Sequence, residues 1–248
     1  MIDAIIEHMT SPDPAATILR LEKLIAPNLY QHLDPQNRAT IVGWGWFFLI
    51  RDQVRAVRLL HREGCCAAAA PNRRAAVEHT MALLWLADEG DSVVDVFNRG
   101  LQNDQIQLAN MLRAAEMTDT MQSAAYAVLE ATVAAAVPPH PDERLRKIDH
   151  LFQAYEVHGL RAYYQVESRF AHPSLSGAQT YFRDAEDGFR VSQDSLHPEV
   201  VPCQLFSLSV LFDAMRAFNG LLLGTPWSET LEAVASEHGF TAAPIRRA

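Results

Sequence analysis

Apolar residues recur at three- and four-residue spacings along almost all of this 248-residue chain, and nowhere do they alternate for long with polar ones. A 3.6-residue period puts such residues on one face of a helix, whereas a half-buried strand needs a period of two. The stretch SPDPAATILRLEKLI shows the pattern early: a serine, an aspartate and prolines suited to a helix start precede Ile18, Leu21, Leu24 and Ile25. Abundant alanine, leucine, glutamate and arginine favour the same state. The predicted fold class is all-α, a single multi-helix bundle with at least six helices and no sheet of three or more strands.

Punctuation divides the bundle. A long helix is expected from about Gln36 to Glu63, stopping at Gly64. Asn72 is the expected N-cap of a third helix, RRAAVEHTMALLWLADEG. A short segment SVVDVFNRG and a separate stretch from Gln102 to Val137, broken near Thr118–Asp119, come next. The proline-rich corner PPHPDE (138–143) launches a helix at Asp142, and a further helix over 159–172 stops at Pro173. A polar connector (176–197), a buried helix over 199–223 and an amphipathic helix from Ser228 to His238 complete the reading. Residues 1–35 read as a helical arm packed on a bundle of residues 36–248, and only the tail APIRRA is expected to be disordered.

Composition narrows the class. A hydrophobic fraction of 49% and a charged fraction of 21% are those of a globular protein with a full core. A net charge of −9 argues against a wholesale nucleic-acid coat but leaves room for a local basic patch. Three cysteines, two of them adjacent as Cys65 and Cys66, give neither a disulfide framework nor a zinc spacing, so no metal or cofactor is expected. The start MIDAIIEHMTSPDP lacks the basic and apolar regions of a signal peptide. The longest apolar run, ATIVGWGWFFLI, has 12 residues and is too short to span a bilayer. A cytoplasmic protein off the membrane is the expectation. His140, His150, His158 and His197 are scattered without metal-ligand spacing, and the four tryptophans fit helix contacts better than a stacking platform.

Two stretches carry candidate chemistry. The helix after Gly45 places Arg51, Arg55, Arg58 and Arg62 on one stripe, and seven of the 21 basic residues fall between 38 and 74, opposed there only by Asp52 and Glu63. That local reversal suits an anionic ligand such as RNA or a phosphate; the plainer alternative is a face paired with acids of neighbouring helices. In RAAVEH, Arg74 and Glu78 stand at i, i+4 close to a helix start, where the dipole penalises a cation and Arg73 doubles the penalty. A tertiary partner or a function is needed to hold Arg74 there. His79 follows Arg74 at i+5, where side chains diverge by roughly 140°, so the pair is expected to cooperate only across a distorted helix end or a partner chain. Further on, Tyr164, Ser168 and His172 share a helix face in YYQVESRFAHPSL. Pro173 makes His172 the last helical residue or its cap, where the dipole favours imidazolium. Ser168 either orients that ring or bonds back to its own helix, while Glu167 and Arg169 read as solvent residues.

RAAVEHTMALLWL together with the later YYQVESRFAHPS resembles uncharacterised bacterial helical families of the HEPN-like group, over roughly residues 70 to 185. Such domains are α-helical and often dimeric, and many are metal-independent endoribonucleases of toxin–antitoxin or antiviral systems. Others have lost catalysis and serve as binding or scaffold domains. The resemblance implies a homodimer that binds RNA or a phosphate-bearing ligand and uses Arg74, Glu78, His79, Ser168 and His172. Arg51, Arg55, Arg58, Arg62 and Tyr164 would contact the ligand. Two other readings stand beside it. One is a non-catalytic interaction or scaffold protein in which Arg74, Glu78, Ser168 and His172 form a buried network. The other is a small-molecule enzyme with a pocket between helices.

Overall fold

The computed structural model describes residues 12–25, 29–114, 131, 140–186, 188–192 and 202–248. Among the described residues there are nine α-helices and one two-stranded hairpin, so the class is all-α. The helices are α1 (Pro14–Leu24), α2 (Arg38–Arg62), α3 (Ala70–Glu89), α4 (Asp91–Ala114), α5 (Ile148–Tyr155), α6 (His158–Ala171), the single turn α7 (Leu175–Ala178), α8 (Cys203–Asn219) and α9 (Ser228–His238).

Helix α3 is the axis of the fold. From Ala76 to Leu86 it buries side chains on every face, including Val77, Met81, Leu83, Trp85 and Leu86. A helix apolar all round can only lie inside a bundle, and α2, α4, α6 and α8 pack around this one. Burying each such Leu or Met contributes about 1.5–3 kcal/mol. Gly43 lets α2 come close, since a Cβ there would meet Leu221 Cδ1 at 2.6 Å with Leu83 and Leu86 behind it. Helix α1 packs on α8 with Ile18 and Leu21 buried, and Arg20 pairs with Glu237 of α9 at 2.5 Å.

Local chemistry explains most boundaries. The side chain of Asp13 accepts from Ala15 N (3.0 Å) and that of Asn37 from Thr40 N (3.1 Å), capping α1 and α2. Gly64, at φ +74°, ends α2. Other expectations need correction. Asn72 is not an N-cap: a 3₁₀ turn over Ala67–Ala69 runs directly into α3, and Pro71 is tolerated in the first turn. SVVDVFNRG and the start of the next stretch form one continuous α4. The expected continuation to Val137 and the break at Thr118–Asp119 lie outside the described residues. Asp142 precedes a 3₁₀ turn (Glu143–Arg146) rather than a helix, because the Glu143 carboxylate docks on Arg99 (3.3 Å) and Asn103 (3.1 Å) of α4.

The connector is structured too. It forms α7, a 3₁₀ turn over Gln179–Tyr181, and strands β1 (Phe182–Ala185) and β2 (Gly188–Val191), with Phe182 opposite Val191 and Ala185 opposite Gly188. Four-residue strands are too short to show alternation, but the pair Asp187–Gly188 is a hairpin signal, and Gly188 adopts φ +126°. The buried helix is shorter than expected because the Asn219 side chain closes α8 onto α9, accepting from Trp227 N (2.9 Å) and donating to Ser228 Oγ (3.1 Å). The tail is fastened rather than loose. Arg216 donates to the carbonyl of Ala243 (3.0 Å), Arg246 pairs with Asp88 (2.7 Å) and Arg247 with Glu89 (2.9 Å) and Asp142 (3.2 Å).

Candidate functional site

Helices α3 and α6 run antiparallel, so the start of α3 meets the end of α6. Two adjacent arginines on α3 meet α6 there in different ways. Arg73 is buried and forms an ion pair with Glu167 at 2.7 Å, and its Nη2 donates to the Cys66 carbonyl (3.0 Å). Glu167 is therefore no solvent residue, and burial, only partly offset by Arg73, raises its pKa above the ordinary carboxylate value. This pair holds the register of the two helices.

Arg74, one residue on, faces an open cleft. Its Nε donates to Glu78 Oε1 at 2.9 Å, its Nη1 to His172 Nε2, and its guanidinium carbon lies 5.1 Å from the centre of the Tyr164 ring. Burial works against the Arg74 charge, but Glu78 and Tyr164 outweigh it and hold its proton more tightly than usual. The Tyr164 phenol is raised by burial, which Arg74 partly counters. His172 is the C-cap of α6 with extended backbone (φ −114°, ψ 156°), the conformation that Pro173 imposes on it. An arginine nitrogen can only donate, so Nε2 of His172 is the acceptor in this contact.

The cleft has a volume of about 360 Å³ and is bounded by Arg74, Glu78, His79, Tyr164 and Arg146, with an aromatic wall of Trp46 and Phe97. His79 reaches it from an undistorted helix, so the divergence of i and i+5 does not keep it from the space that Arg74 borders. Its Nδ1 donates to the Ala75 carbonyl (2.7 Å), which leaves Nε2 as the unprotonated nitrogen of the neutral ring. His172 does not line this cleft: it touches Arg74 and borders a neighbouring concavity with Pro173 and Tyr181. Ser168 does not orient either ring: its hydroxyl donates to the Tyr164 carbonyl of its own helix (2.7 Å).

The arginine stripe lies elsewhere. Trp46 of α2 borders the cleft, and Arg55, Arg58 and Arg62 follow about 120–180° round the helix from it. Arg55 and Arg58 meet Glu22 of α1 at 3.2 and 3.8 Å, a carboxylate from outside the basic segment. Arg62 pairs with Glu63 (3.0 Å), and Arg51 pairs with Asp52 (3.0 Å) while lying over Phe48. Arg55 and Arg62 keep 50% and 73% of their side-chain surface exposed, so the stripe is partly paired and partly open. Arg55, Arg58 and Arg62 line a separate concavity of about 490 Å³ with His61.

Arg146, Trp46 and Phe97 are cleft residues that sequence reasoning missed. Trp46 and Phe97 touch edge to face at 4.7 Å between helices far apart in sequence, and no local spacing signals such a contact. Among the described residues, no group of three or more His, Cys, Asp or Glu could hold a metal ion, and no helix is long and apolar enough to cross a membrane. The cleft thus offers guanidinium groups to an anion and the imidazole of His79 to move protons, with the carboxylate of Glu78 among them and the His172 imidazole beside Arg74.

No curated protein and no solved structure matches the chain. A family of unknown function, DUF5677, matches residues 41–189, more than half of the sequence and a span that includes every residue bordering the cleft. The chain belongs to this family.

Proposed function

We propose that the α3–α6 cleft is an RNA-binding site of a HEPN-like domain, and that it cleaves RNA without a metal ion. The observation that carries this reading is the contact between Arg74 and His172, which come from helices 98 residues apart and meet at the edge of an open cleft rather than inside the core. The adjacent Arg73–Glu167 pair already fixes how α3 sits on α6, so Arg74 is not needed for that. Arg74 holds the scissile phosphate and offsets the charge that builds on its oxygens. In the reaction the ribose 2′-oxygen attacks phosphorus, the bond to the 5′-oxygen breaks and a 2′,3′-cyclic phosphate forms. One imidazole, His79 or His172, takes the 2′-hydroxyl proton as the neutral ring, and the other, protonated at the outset, gives its proton to the leaving 5′-oxygen. Tyr164 supports Arg74 from below. The exposed arginines of α2 add electrostatic attraction for an RNA chain that extends beyond the cleft.

The test is purification with and without nuclease treatment, followed by absorbance at 260 nm and incubation of the nuclease-treated protein with single-stranded RNA in a chelator. Co-purifying RNA and cyclic-phosphate products that disappear in Arg74→Ala support the reading. Protein free of nucleic acid that neither binds nor cleaves RNA refutes it.

A further inference from the structure

Arg146 reaches the cleft along an unusual route. It sits at the end of the 3₁₀ turn Glu143–Arg146, which Glu143 fastens to Arg99 and Asn103 of α4. From there its guanidinium passes over α4 at Gly100. A Cβ at Gly100 would stand 2.0 Å from Arg146 Cζ and 2.2 Å from its Nε, inside any real contact distance. No other residue type leaves room for this path. Glycine in a helix interior costs roughly 1 kcal/mol relative to alanine, and Gly100 is in mid-helix with the Arg146 guanidinium nearest to where its Cβ would stand. Asp104 lies 3.5 Å from Arg146 and is largely exposed, too loose a contact to require the notch.

We propose that Arg146 is a second anion-binding residue of the cleft that Arg74 lines, and that Gly100 is the positioning residue that admits it. The proposal rests on the reading of the cleft as a site for an RNA phosphodiester and deepens it. A phosphodiester has two non-bridging oxygens, and guanidinium groups from two separate elements can each donate to one of them. Arg74 is already engaged by Glu78 and His172, so a second cation supplies the excess positive charge an anion needs. Among the described residues, the carboxylate that Arg146 meets is that of Asp104, at 3.5 Å.

Gly100→Ala makes the test clean, because the added methyl meets only the far end of a flexible side chain and displaces Arg146 without removing its charge. Wild type, Gly100→Ala, Arg146→Gln, the double variant and Arg74→Ala are compared by fluorescence anisotropy with a short labelled single-stranded RNA, over a range of salt and beside thermal melts. Gly100→Ala and Arg146→Gln are each expected to weaken binding about tenfold or more, as loss of a charge-assisted hydrogen bond does. Each should also lower the slope of log affinity against log salt by about one. The double variant should bind no more weakly than Arg146→Gln alone, and Gly100→Ala should melt no lower than wild type. If Arg74→Ala loses binding while Arg146→Gln and Gly100→Ala bind like wild type, the second arginine is refuted and the cleft reading stands. Additive losses in the double variant refute the positioning role of Gly100. If Arg74→Ala also binds like wild type, the cleft reading falls and takes the clamp with it.

Discussion

Arg73 and Arg74 are adjacent in sequence and chemically identical, yet the structure gives them opposite consequences when each is replaced by alanine. Arg73 keeps 6% of its side-chain surface exposed and Glu167 11%, with 2.7 Å between them. Removing Arg73 leaves a buried carboxylate without its counter-charge, a change that costs about 3–5 kcal/mol. For a chain of this size each kcal/mol moves the melting temperature by about 2–4 °C, so Arg73→Ala should melt roughly 10 °C below wild type. Arg74 and Glu78 keep 24% and 36% exposed, and such a pair is worth about 0–1 kcal/mol. Arg74→Ala should therefore melt within about 4 °C of wild type while losing RNA binding. Thermal melts followed by circular dichroism, run beside the binding assay, separate the two variants. Equal melting of both, or a larger loss in Arg74→Ala, would refute the division between a structural and a functional arginine.

Three further outcomes follow from the charges. Burial pushes the Asp213 carboxyl up to about 6 despite its pairing with Arg216. Its folded pKa then lies above the unfolded value near 3.9, the folded state holds the proton in between, and this group's contribution to stability falls as pH rises from about 4 to about 6. Urea melts should show wild type losing ground to Asp213→Asn across that window, and parallel curves would contradict it. Asp88 behaves oppositely: burial raises its pKa, but Arg246, the Arg247 amide and Tyr155 outweigh that and lower it overall. Its stabilisation of the tail is present above the ordinary carboxylate pKa and lost as pH falls through the lowered value, so the hydrogen-exchange protection factors of the Arg247 and Ala248 amides should fall in acid and, in Asp88→Asn, at neutral pH as well. Finally, Arg55→Gln with Arg58→Gln should lower the salt slope of RNA binding by up to about two while sparing cleavage of short substrates; an unchanged slope removes the stripe from the binding surface.

What the sequence revealed and what it hid divide along a physical line. Helix type and order are local properties, and the apolar spacing of α1, α2, α3 and α9 displays them directly. The arrest of α6 at His172 is local as well, since Pro173 restricts the residue before it. That Arg74 sits awkwardly for its helix was legible; that Arg73 is the buried one was not, because its partner Glu167 lies on another helix and looks like a surface glutamate by spacing alone. The ion pair of Arg58 with Glu22, the tail contacts of Arg246 and Arg247, and the path of Arg146 over Gly100 all join residues far apart in the chain. A mid-helix glycine was the one trace of that last contact, and it reads as an imperfection until the side chain lying on it is seen. The hairpin's strands are too short to establish a period, and the Asp187–Gly188 pair is the signal that could have found it.

The proposed role of Arg74 and His172 in RNA cleavage is tested by the rate of single-stranded RNA cleavage in a chelator by wild type, Arg74→Ala and His172→Ala, each first shown to melt close to wild type. Cyclic-phosphate products are expected from wild type, with a loss of 100-fold or so in each variant, in line with the removal of a transition-state donor or of an acid–base group. Cleavage by the two well-folded variants at the wild-type rate, or no cleavage by any of the three, would contradict it.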